Sequence, residues 1–299
     1  MRRNRRTGRI AAGSKARGTR SPLERVSIVQ SMDGTRRKLV VLHGDPVLRR
    51  QLAALERRGI DVEFVEGWTR VREAARSASP ATLLMVDPYF PDATEPVEVL
   101  RDLLRGFPSL VVLAAVRPDA ELAHVCEIGR WGIADLVQLE TEDSELLLLR
   151  RIREVRARPL LGLLRGDSPA PLPARARAIL ETAVEVALDG GYPRDMAERM
   201  RMDGSTLRRW CDSANLPPPR RLLLWMRTLL ASMLLDDPGR SVLGVAHACG
   251  YNSDQALRRA IRRTLPLTPG QLRDQGAFDT VAGAFHQEVI QAHHQKAGR

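Results

Sequence analysis

The chain has 299 residues, enough for two domains at the usual length of about 100–200 residues each. Hydrophobic residues at 43% and charged residues at 28% place it among globular proteins. Its longest uncharged apolar runs, Leu110–Val116 and Thr228–Leu235, fall far short of the roughly 20 residues a membrane helix needs, and the Arg-rich start lacks the apolar stretch of a secretory signal.

The net charge of +11 is concentrated in a tail. Residues 1–38 hold twelve Arg or Lys against Glu24 and Asp33, whereas the other 261 residues carry 35 basic and 34 acidic side chains. Residues 1–37 show no apolar period and read as a disordered basic tail. A solvated tail, or an extension ahead of a start at Met32, is the reading preferred over an arm for nucleic-acid phosphates. Cys126, Cys211 and Cys249 lie far apart without metal-ligand spacing, so they read as buried thiols in a reducing cytoplasm.

From residue 38, short apolar runs alternate with amphipathic stretches. Strands are predicted at Lys38–His43, Val62–Val65, Thr82–Val86, Leu110–Val116 and Asp135–Leu139. Helices are predicted at Val47–Arg58, Trp68–Ala78, 95–106, 119–130 and 143–165. Five strands alternating with five helices, the strands apolar on nearly every residue, define a doubly wound parallel α/β domain over 38–165. Residues 166–173 (GDSPAPLP) form a linker, since three prolines exclude helix.

Beyond the linker the strand signal ends. Helices are predicted at 174–189, 193–200, 204–213, 219–235, 241–249, 253–264 and 269–274, with one more at 278–293 in a C-terminal segment (276–299) whose end frays from Gln291. The 219–235 helix is apolar over more than one stripe and should be central. Two segments, 195–211 and 241–263, share a layout: a short helix with a central alanine (Ala197, Ala246), a tight turn, and a second helix containing Leu207–Arg209 or Leu257–Arg259. Asp203 and Ser253 are the expected N-caps of the second helices, and Gly250 is expected to supply a positive φ.

On these residues, 174–275 resembles the DNA-binding domain of the AraC/XylS family of transcriptional regulators, two helix-turn-helix units bridged by one long helix. Ala246, Gly250-Tyr251, Leu257, Arg259, Ile261 and Thr268-Pro269…Leu272-Arg273 follow the family pattern, with Leu257 and Ile261 where Phe is usual. The first unit departs from it at Arg201, where a turn glycine is usual, and at Cys211. The resemblance implies DNA contact by Ser205, Arg208 and Arg209 in the first unit and by Asp254, Gln255, Arg258 and Arg259 in the second, with Arg262 and Arg263 as phosphate clamps.

The order of elements in 38–158 resembles the receiver domain of bacterial response regulators. Asp87 falls at the phosphoacceptor position. The metal-binding acid pair falls on His43 and Gly44, with Asp45 one place beyond; the Ser/Thr position falls on Ala114 or Ala115 and the Lys position on Leu139. Mg²⁺ needs hard oxygen ligands and phosphoryl transfer needs cations, so Asp87 reads as a vestigial phosphoacceptor. His43 reads as a satisfied strand-end histidine ahead of a ligand or pH sensor. Leu146, Leu149 and Ile152 suit either a dimer face or the core.

The expected protein is therefore a cytoplasmic, non-enzymatic regulator that binds double-stranded DNA, without cofactor, metal or membrane. RNA polymerase and a second copy of the chain, paired through the receiver-like domain, are its other expected partners. A signalling adaptor whose α/β domain binds a protein partner, with weak or architectural DNA contact, is the alternative.

Overall fold

The computed structural model describes residues 37–117, 119–138, 147–152, 154–155 and 173–297, with side chains to 290. The basic tail before Arg37, the linker before Pro173, Leu139 and Leu146 lie outside the described residues.

The N-terminal half alternates strand and helix: β1 (Arg37–Leu42), α1 (Pro46–Ala54), β2 (Ile60–Phe64), α2 (Trp68–Ser77), β3 (Thr82–Val86), α3 (Glu98–Gly106), β4 (Val111–Val116), α4 (Leu122–Arg130) and β5 (Asp135–Gln138). Helical residues 147–152 and 154–155 form α5. All strand pairs are parallel, in the order β2-β1-β3-β4-β5. That is the doubly wound order in which the direction of winding reverses between β1 and β3.

Alternate strand residues point to opposite faces, and each face has its own core. Leu39, Val41, Leu83, Met85 and Leu113 pack under α1 and α5, while Val40, Leu42, Leu84, Val86 and Val112 pack under α2 and α3. Both faces are covered, which explains the unbroken apolar runs of β3 and β4. Leu149 and Ile152 belong to the first of these cores, so they serve packing and are not open to a dimer partner.

Three expectations are corrected here. The helix expected to run to Arg58 ends at Ala54 and tightens into a 3-10 turn, Leu55–Arg58, which swings Leu55 into the core. The helix expected from 95 starts at Glu98, because Pro96 disfavours helical backbone just before it. Cys126, expected to be buried, is exposed, whereas Cys211 and Cys249 are buried.

The C-terminal half is helical: α6 (Ala174–Leu188), α7 (Pro193–Arg199), α8 (Gly204–Ser213), α9 (Pro219–Leu235), α10 (Val242–Ala248), α11 (Asp254–Ile261), α12 (Pro269–Asp274) and α13 (Ala277–Ala297). α9 is the axis of this core, with Leu222, Leu223, Trp225, Met226, Leu229, Leu234 and Leu235 buried. α13 runs on to Ala297 where fraying from Gln291 was expected. The Asp236 carboxylate accepts from the N–H groups of Ala277 and Phe278 and anchors its first turn, whose N–H groups have no partner within the helix. Among the described residues no helix is long and apolar enough to cross a membrane.

Candidate nucleic-acid interface

Both predicted helix-turn-helix units form, and their turns carry the same hydrogen bonds. In the first, the N–H of Met202 donates to the Ala197 carbonyl and that of Arg201 to the Glu198 carbonyl, each at 3.0 Å. In the second, Tyr251 donates to Ala246 at 2.8 Å and Gly250 to His247 at 2.9 Å. This paired pattern closes a helix through one residue in the left-handed region. Gly250 holds that place with φ 76°, and Arg201 holds it with φ 53°. The departure from glycine at Arg201 therefore leaves the turn geometry intact.

It does so at a cost. A left-handed conformation strains a residue with a Cβ by roughly 1–2 kcal/mol, part of which glycine gives back as lost chain entropy. Arg201→Gly is expected to stabilise the protein by about 1 kcal/mol, read as a higher urea midpoint at unchanged slope. A lower midpoint would mean that the exposed arginine makes a compensating contact.

Each second helix is capped as expected. Asp203 Oδ1 accepts from the N–H groups of Ser205 and Thr206, both at 2.9 Å, and the carboxylate also takes both hydroxyls. The Ser205 and Thr206 bonds hold the Asp203 carboxyl well below the usual carboxylate range. Its folded pKa is depressed, so the capping contribution is present above the ordinary Asp pKa and is lost only as pH falls towards the depressed value. Ser253 Oγ accepts from the Ala256 N–H at 3.2 Å. Beneath the caps, Leu207 and Leu257, each 1% exposed, anchor α8 and α11 in the common core. The cap follows the turn alanine by six residues in the first unit and seven in the second.

With those leucines facing inward, the opposite faces of α8 and α11 are open. Ser205, Arg208 and Arg209 are exposed on α8; Gln255, Arg258 and Arg259 are exposed on α11, with Arg262 and Arg263 just beyond it. Ser205 bonds its own cap, Arg209 donates to the Thr206 hydroxyl, and Arg208 makes no ion pair among the described residues. Asp254 is half-buried and pairs with Arg258 at 3.3 Å across one helical turn. Sequence reasoning placed both on this face but missed their pairing, although the i,i+4 acid–base spacing signals it.

At the carboxyl end of the sheet, His43 and Asp87 follow the neighbouring strands β1 and β3. Asp87 is half-buried, and its Oδ1 accepts from the Tyr89 N–H at 2.9 Å. Asp45 is the N-cap of α1: its Oδ1 accepts from Val47 at 2.6 Å and from Leu48 at 3.0 Å. His43 is 3% exposed; its Nδ1 accepts from the Asp45 N–H at 3.0 Å, while Nε2 is buried without a partner among the described residues. The expectation of a satisfied histidine thus holds for one nitrogen only. Burial pushes its pKa down against the pull of Asp87 and Asp45. Ala114 and Ala115 are wholly buried in β4. Among the described residues no three His, Cys, Asp or Glu side chains converge as metal ligands.

Residues 196–275 match the family model of a helix-turn-helix domain. No curated protein matches the chain. Among solved structures, the chain is similar to full-length FixJ of B. japonicum, at 16% identity over 73% of this chain and 98% of that one, with a TM-score of 0.33. It is also similar to the RcsB response regulator of Salmonella typhimurium, at 17% identity over 64% and 98%, with a TM-score of 0.33. Residues 196–275 are thus a DNA-binding helix-turn-helix domain of AraC type. The chain carries this domain behind a five-stranded parallel α/β domain.

Proposed function

We propose that the chain is a sequence-specific, non-enzymatic regulator that reads two adjacent major-groove segments and works without aspartyl phosphorylation. In this reading 38–165 is the receiver-like domain, 166–173 the linker and 174–275 the DNA-binding domain, with a basic tail before them and a C-terminal helix after. The observation that carries it is the same capped turn built twice, on either side of α9. The 17 residues of that helix span about 25 Å at 1.5 Å each, a length suited to holding two reading helices about one DNA turn, roughly 34 Å, apart. Ser205, Arg208 and Arg209 read one segment, and Asp254, Gln255, Arg258 and Arg259 the other. Arginine suits guanine, glutamine adenine, and aspartate the amino group of cytosine. Arg262 and Arg263 hold phosphates. RNA polymerase and a second copy of the chain complete the set of partners.

Independence from phosphorylation is supported by how the acids are used. Asp45, the first acid after β1, is committed to capping α1, and His43 and Gly44 stand where a metal-binding pair is needed. Hydroxyl-radical footprinting on a duplex selected from a random pool, before and after incubation with acetyl phosphate and Mg²⁺, tests both halves of the reading. Two protected segments one turn apart, unchanged by the incubation and with no phosphoryl adduct in the intact mass, are expected. A single protected segment would overturn two-segment reading; an adduct that Asp87→Asn abolishes and that tightens binding would overturn the rest.

A further inference from the structure

The two halves of the chain meet at the amino-terminal end of the sheet, opposite the end where His43 and Asp87 lie. The contact centres on Asp237–Arg240, in the six-residue connection between α9 and α10. Asp237 and Arg240 pair at 2.8 Å with both side chains 0% exposed. Asp237 Oδ1 accepts from the Ser109 N–H at 2.8 Å, and Oδ2 accepts from the Ser109 hydroxyl. Arg240 Nη1 donates to the Ala78 carbonyl at 2.8 Å and the Arg76 carbonyl at 3.3 Å, groups that the end of α2 leaves without helical partners. Its guanidinium lies over the Phe107 ring at 5.7 Å. Gly239 donates to the Gly106 carbonyl at 2.9 Å, and a Cβ on it would lie 2.6 Å from the Phe107 ring.

We infer that the amino-terminal end of the sheet is a docking surface for segment 236–240 of this same chain, and that through it the α/β domain sets the position of the second helix-turn-helix unit. The segment runs directly into that unit: Ser241 caps α10, and the Arg240 carbonyl accepts from Arg273 Nη2 of α12 at 2.9 Å. A buried ion pair fixes an arrangement more than it stabilises one, because its charges are costly to bury and costlier to separate. The first unit is tied differently. Arg37, at the start of β1, pairs with Asp189, which also takes Arg199 at the end of α7, and these side chains are 30%, 15% and 32% exposed. Such pairs are weak and screened by salt. The α/β domain therefore holds the second unit firmly and the first loosely, a property independent of how DNA is read.

The test compares the full-length wild type with Gly239→Val and Ser109→Ala by scanning calorimetry and amide hydrogen exchange. The wild type is expected to unfold in one transition and Gly239→Val in two. In Gly239→Val the α10 and α11 amides exchange at least about tenfold faster while those of α7 and α8 keep wild-type rates, as expected when one cooperative unit loosens alone. Ser109→Ala, which removes one hydroxyl bond and no core contact, gives the same pattern at smaller amplitude. Two transitions in the wild type, one transition at the wild-type midpoint in Gly239→Val, or acceleration shared equally by both units would overturn the inference. Where Gly239→Val fails to fold by circular dichroism, Ser109→Ala decides: unchanged α10 and α11 exchange overturns it.

Discussion

Truncating Phe285 to alanine is expected to remove about 3–5 kcal/mol of stability, the range for deleting a fully buried aromatic. Phe285 is 1% exposed, and its ring stands 5.7 Å from that of Trp225 on α9. α13 lies beyond the helix-turn-helix match at 196–275, yet Ala277, Val281 and Phe285 are part of the same core as α9. Arg221 adds a bidentate pair to Glu288 and a bond to the Arg263 carbonyl beyond α11. Burial alone raises the Glu288 carboxyl, but the Arg221 bonds overcome it and hold the pKa below its ordinary value. That pair therefore contributes above the ordinary Glu pKa and weakens as pH falls below it. The pair is partly open to solvent and worth far less than the aromatic contact. Urea unfolding of Phe285→Ala and Glu288→Gln ranks the two; equal losses would show that α13 is held by charge and not by its apolar face.

Arg208→Ala and Arg258→Ala are each expected to weaken binding to the selected duplex by about 1–3 kcal/mol and to relax specificity at one position. Arg208 makes no ion pair among the described residues, so its removal deletes an attractive contact and little else. Arg258 is paired with Asp254 at 3.3 Å; its removal leaves a carboxylate facing DNA without its cation, and like charges that face each other across an interface are penalised. The Arg258 variant should therefore lie at the upper end of the range and lose more affinity at low salt than Arg208→Ala. Competition titrations at two salt concentrations measure both effects. Wild-type affinity in both variants would remove these residues from the interface.

The local structure was legible because its signals are local. β1, β3 and β4 declare themselves as apolar runs and α9 by its wide apolar surface, while Asp203 and Ser253 cap the helices their side chains suggest. The parallel α/β class follows from the alternation, while the strand order comes only from the structure. What the sequence hid was long-range. Asp237 meets Ser109 from 128 residues away and Arg240 meets Ala78 from 162, and in the sequence both look like ordinary turn residues after a helix. The commitment of Asp45 to an N-cap was equally hidden, since an acid after a strand looks the same whether it faces a metal or two backbone N–H groups.

Between α9 and α10, successive residues answer to different masters. Asp236 holds the start of α13, Asp237 reaches Ser109, Gly239 fits against Phe107, and Arg240 spans the end of α2 and the side chain of Arg273. A one-residue insertion or deletion there moves every one of these contacts out of register at once, with no slack on either side because helices begin and end at its borders. Evolutionary drift can exchange side chains elsewhere in this connection's surroundings, but the number of residues between the two helices is pinned by geometry. Across related chains that keep this docking, length at this point should therefore persist longer than identity.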